Sequence, residues 1–90
     1  MTPKIIISTS GNVIVPAYLT LLQKGYLVTS IKEGTKDEWI AENEKCGLIA
    51  EDPLTLLGLV NIYEIRGNSW KASDEQTDRF LENYGRSESS

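Results

Sequence analysis

The 90 residues contain no histidine and a single cysteine. The first absence removes the side chain most often used as a general base near neutral pH and as a neutral metal ligand. Ser8, Thr9 and Ser10 therefore have no histidine partner to activate them. Lys4 or Lys24 would need a lowered pKa that nothing in the sequence suggests. Glu42, Glu44, Glu51 and Asp52 lie close together, but acidic clusters of this kind are more often solvated faces than acid–base pairs. The second absence means that Cys46 cannot close an internal disulfide. Without histidines, no metal site assembles around it either. It reads as a small, partly buried thiol in a reducing compartment. No catalytic residue, cofactor or metal is expected, and the chain reads as non-enzymatic.

Positive charge is also scarce. Nine Lys and Arg face thirteen Asp and Glu, a net charge of −4, whereas a nucleic-acid binder needs a basic face to replace phosphate counterions. No stretch approaches the roughly 20 apolar residues of a membrane span. The opening MTPKIIIST lacks the charged-then-apolar order of a signal peptide. Neither nucleic acid nor membrane is an expected partner, and the cytoplasm is the expected compartment.

What is present is an ordinary globular composition, 40% apolar and 24% charged, in a chain long enough for one modest core. Residues 1–85 are expected to form a single α/β domain, with 86–90, RSESS, as a disordered tail. The β-branched run KIIIST, 4–9, suits a strand covered on both faces. Asn12 is a candidate N-cap for a helix over about 13–24, with Val15, Tyr18, Leu19 and Leu22 on one face and Gly25 as its stop. YLVTSIK, 26–32, reads as a second strand, completing a βαβ unit with parallel strands. After the turn EGTKDE, 33–38, two readings fit WIAENEKCGLIAE. A Thr35–Glu38 capping box can open a helix ending at Gly47. Alternatively, strands 38–43 and 47–51 form a hairpin around Glu44–Lys45. Ile40, Ala41, Cys46, Leu48 and Ile49 gather on no single helical stripe, which favours the hairpin.

The segment EDPLTLLGLVNIYEIRG gives the clearest helix signals. Asp52 caps, Pro53 fills the first helical position and Gly67 ends it, for a helix over 53–66. Its apolar residues leave no wide polar arc, so cover is expected on at least two sides. The sheet and a final helix over about 74–84 are the expected cover, with Leu57 buried and Trp70 closing the corner. The alternative is a contact with a second copy or another protein. Gly58 suggests close approach of another backbone. Ser73 and Gln76 form a capping box for the last helix, Gly85 ends it, and Phe80, Leu81 and Tyr84 are its apolar face. The architecture expected is thus β-α-β-(β-β)-α-α, helices packed over a small mixed sheet.

Two surface features point to binding. Between Glu33 and Asp52, seven acidic residues and two lysines give −5, so the rest of the chain is nearly neutral. Such a concentration speeds association with an oppositely charged surface. Glu33, Asp37, Glu38, Glu42 and Glu44 are the expected contacts with a partner protein of basic character, and Trp39 among them is a candidate anchor. Alternatively Trp39 belongs to the core and the acids serve solubility. The turn STSGN, with Ser8, Ser10, Gly11 and Asn12, precedes a helix start, where backbone N–H groups can hold an anion or small ligand. It has neither the glycine spacing nor the lysine of a phosphate-binding loop.

The run AEDPLTLLGLVNIYEIRGNSW, 50–70, resembles a pattern found in small, mostly uncharacterised bacterial proteins. It pairs Ala-x-x-Pro with Leu-Leu-Gly-Leu, then Glu-x-x-Gly and a tryptophan, here Ala50, Pro53, Leu56, Leu57, Gly58, Leu59, Glu64, Gly67 and Trp70. That resemblance implies the helix and no named activity. In its small size and acidity the chain is also similar to bacterial toxin-immunity proteins, which implies a non-catalytic inhibitor of a basic toxin.

Overall fold

The computed structural model describes residues 3–85; the expected tail, 86–90, lies outside the described residues. The elements run α1 (Ile14–Gln23), β1 (Leu27–Glu33), β2 (Lys36–Glu42), β3 (Gly47–Ala50), α2 (Pro53–Arg66), a 3-10 turn (Gly67–Ser69) and α3 (Asp74–Tyr84). The fold is α/β, with the expected hairpin at β2–β3 and the two C-terminal helices in place.

The strands form a single antiparallel sheet in the order β1-β2-β3. A two-residue loop, Gly34–Thr35, joins β1 to β2, because Glu33 pairs with Lys36. Gly34 has φ of +61°, and glycine at the first central position is what a type II′ hairpin turn requires. The second hairpin closes through Asn43, whose Oδ1 accepts from the Lys45 and Cys46 amides at 2.8 and 3.0 Å. That side chain supplies the turn's own hydrogen bonds.

One expected strand does not form. Residues 4–9 are irregular, and Ile5, Ile6 and Ile7 are 84%, 81% and 78% exposed. The expected βαβ unit and its parallel pairing are therefore absent, and the sheet is purely antiparallel rather than mixed. β propensity alone does not make a strand; a ladder partner and a packing surface do.

The helix at 53–66 has the expected bounds. Asp52 accepts from the Thr55 amide at 2.7 Å and from its hydroxyl at 3.0 Å, Pro53 opens the helix, and Gly67 leaves it at φ +65°. α3 likewise shows the Ser73–Gln76 capping box. α1 differs at its start: Val13 occupies the N-cap position without a side-chain bond, so Asn12 is no cap.

α1 and α2 pack on each other and on one face of the sheet. The core at their junction consists of Leu21, Tyr26, Ala41, Leu56 and Val60, with Val28, Trp39, Cys46, Leu48, Ala50 and Leu57 around it. α1 buries Ala17 and Leu21 and leaves Val15, Leu19 and Leu22 exposed. The expected apolar face is thus rotated away from the core. Leu57 is half-buried while Leu56 and Val60 are fully enclosed.

A polar clamp ties the two helices to the sheet. The Tyr26 hydroxyl donates to Glu64 Oε2 at 3.1 Å, and Lys24 Nζ lies 2.7 Å from Glu64 Oε1. Bonding to Lys24, aided by the tyrosine, holds the Glu64 carboxyl below its ordinary value. Burial, together with the carboxylate beside it, pushes the Tyr26 hydroxyl well above its own.

Cover over α2 departs from expectation. Ile62 and Ile65 are exposed, Ile65 at 83%, and Trp70 does not close over them. A Cβ at Gly58 would meet nothing within 4 Å, so no backbone approaches it within this chain. Every residue of α3 is exposed, and the final helix does not lie over α2 as expected.

Two outcomes follow from the core and the clamp. Leu56→Ala is expected to lower unfolding free energy by about 2–5 kcal/mol, read from urea titrations. A depressed carboxyl contributes stability above its unfolded value that is lost as pH falls through the folded one. Stability is therefore expected to decline below pH 4.5, the ordinary value for Glu64. Glu64→Gln should flatten that decline when urea midpoints are compared across the acid range.

Candidate functional site

Strand side chains alternate between the faces of a sheet. Val28, Trp39, Ala41, Leu48 and Ala50 point to the core, so their neighbours point away. The outward set is Leu27, Thr29, Ile31 and Glu33 on β1, Lys36, Glu38, Ile40 and Glu42 on β2, and Gly47 and Ile49 on β3. The register sets Ile40 between Thr29 and Ile49, Leu27 beside Glu42 and Ile31 beside Glu38. Leu27, Ile31 and Ile49 are 62%, 45% and 55% exposed, and Ile40 at the centre is half-buried. The result is an apolar patch on an open sheet face, with carboxylates set among and around it.

The expected binding residues divide across this geometry. Glu33, Glu38 and Glu42 share the open face, Glu33 at the Gly34–Thr35 end of the hairpin and Glu42 at the far end. Glu44 sits in the β2–β3 turn and, with Glu42, Leu27, Gly25, Asn43 and Lys45, lines an open depression of about 640 Å³ at the corner of the face. Asp37 falls on the opposite side of β2 at its exposed end. Trp39 is also on that side: half-buried, it packs on the core and meets the Tyr18 ring edge-on, centroids 6.4 Å apart at 70°. It is a structural residue in the layer beneath the helices.

The acids are available for an external cation. Among the described residues the ion pairs are Lys24–Glu64 and Arg79–Glu75, neither drawn from the 33–52 cluster.

The turn at 8–12 carries hydrogen bonds of its own. The Ser8 and Ser10 hydroxyls bond each other at 2.5 Å, the Ser10 amide donates to Ser8 Oγ at 3.0 Å, and the Gly11 amide donates to the Ser8 carbonyl at 3.2 Å. The Ser10 and Gly11 amides are thus engaged within the turn, and Ser8, Ser10, Gly11 and Asn12 are all exposed. Among the described residues no group of acids and cysteine is placed to hold a metal ion. No helix there is long and apolar enough to cross a membrane.

Leu27, Ile31, Ile40 and Ile49 are the residues that sequence reasoning missed. No alternation marked them: Trp39, Ile40 and Ala41 are apolar in succession, and the side each residue takes is set only once the Gly34–Thr35 turn fixes the pairing. Comparison with protein-family models, curated proteins and solved structures found no match to this chain.

Proposed function

We propose that this chain is a non-enzymatic protein-binding module that takes a basic protein on its open sheet face. The observation that carries this reading is the apolar row of Leu27, Ile31, Ile40 and Ile49 interleaved with Glu33, Glu38 and Glu42. Interfaces of this kind derive affinity from a desolvated apolar centre, while charge supplies encounter rate and discrimination. A basic side chain of the partner would enter the Glu42–Glu44 depression. An immunity-type inhibitor of a basic toxin is the concrete form of the proposal: a small acidic domain that blocks its target by occupying a cationic surface.

The test is affinity capture on the immobilised chain from a lysate of the source cells. A basic protein should be retained at low salt and released at high salt. Glu38→Lys and Ile49→Asp, both at exposed positions, should each weaken retention about tenfold or more, roughly 1.4 kcal/mol. Glu75→Lys on α3 should leave it unchanged. Retention that ignores salt, or that survives both sheet-face variants, would remove this reading.

A further inference from the structure

The open sheet face has dimensions as well as chemistry. β1 and β2 hold seven residues each, about 20 Å of strand, and three strands about 4.8 Å apart make it about 10 Å wide. A helix with its side chains is about 10–12 Å across, and about 14 residues of it cover 20 Å. The face has the footprint of one such helix. Its apolar content fits the same element: Leu27, Ile31, Ile40 and Ile49 are four side chains, the number one helical stripe presents over about two turns. A partner sheet of about four strands or more would overhang both edges. A single strand added at an edge would leave Ile40, in the middle strand, open to water.

Charge stands at both ends of the apolar patch. Glu38 and Glu42 flank Ile40 along β2, four residues and so about 14 Å apart. Glu44 extends the Glu42 end in the turn. Glu33 lies beyond Glu38 at the hairpin end, with Lys36 across from it. Among the described residues none of these acids is held in an ion pair. On a helix, positions seven and eleven residues apart share a side and stand about 10.5 and 16.5 Å apart, which brackets the Glu38–Glu42 span. The same acids turn away other occupants. α3 carries four acids against one arginine, so it would set acid against acid, as would the same face of a second copy or an anionic lipid surface.

We propose that the element received here is a basic amphipathic helix of the partner protein. Its apolar stripe sits over Ile40, and its lysines or arginines reach Glu42 and Glu44 at one end and Glu33 and Glu38 at the other. The proposal rests on the protein-binding reading above and adds the form of the contact, the mode in which a helix lays its apolar side into a complementary surface.

Three synthetic peptides of about 18 residues, beyond the length at which isolated helices are marginal, test it by NMR titration of the full chain. The first places leucines at helical spacing with lysines flanking them. The second arranges the same residues in period two, and the third replaces each lysine of the first with glutamate. The first should shift the amides of Leu27–Glu33 and Lys36–Glu42 and bind about tenfold or more tighter than the other two. Ile31→Asp and Glu42→Lys should each weaken it about tenfold, while Glu75→Lys on α3 leaves it unchanged; unmoved Leu56 and Val60 amides in the free variants show that the core is intact. Equal binding by the glutamate peptide, shifts confined to α2 and α3, or no binding by the first peptide would overturn the proposal. A partner captured through Glu38 and Ile49, with the period-two peptide binding as tightly as the helical one, would overturn the helix and leave the binding module standing.

Discussion

The contact of Leu21 and Tyr26 with Leu56 and Val60, seated over Ala41, is what the remainder of the fold depends on. It is small. Two helices and three strands meet there, and it closes one face of the sheet only. Ala41 decides how close they come: a residue without a long side chain in the middle strand lets both helices settle on the sheet. The Tyr26–Glu64–Lys24 clamp then fixes where α2 lies relative to the end of α1. Its ion pair, Lys24–Glu64, is partly exposed, so that pair adds orientation more than stability. With one face closed and no third packed helix, the other sheet face and the outside of α2 are left to water.

Local chemistry was legible in the sequence where a single residue's backbone or side chain decides the outcome. Asp52, Pro53 and Gly67 bound α2 because capping oxygen, fixed φ and left-handed φ act within a few residues. The Ser73–Gln76 box works in the same way. The β2–β3 hairpin was legible through a failure, since its apolar residues fit no helical stripe. Faces were harder. IVPAYLTLLQ is apolar nearly all round, so its period does not choose between the Val15–Leu19–Leu22 side and the Ala17–Leu21 side. Only the sheet's position does.

The same limit explains the two larger departures. KIIIST has the composition of a buried strand, but a strand is completed by a neighbour, and in the described chain the free edge of β1 takes no such partner. The binding residues depended on register. Trp39 and Glu38 are adjacent in sequence and opposite in space, and which one faces out is set by the pairing across Gly34–Thr35. Reading the acids as one cluster merged two sides of a strand. Once they are separated, the isoleucines between Glu38 and Glu42 and across from them become the distinctive feature.

The distribution of charge gives these exposed surfaces different characters. The open sheet face has apolar and acidic side chains alternating along the same strands, an arrangement that disfavours contact with its own copy because glutamates would meet glutamates. The outer arc of α2 has no acid, so like-charge repulsion does not bar it from pairing with the same chain. A chain of net charge −4 whose 33–52 segment alone holds −5 thus keeps its charge away from α2. The helix that broke the expected two-sided cover is therefore apolar on its outer arc without an acid there. The run that the sequence patterning marked for burial, 4–9, is irregular and exposed, and it is the open sheet face that combines apolar and acidic side chains.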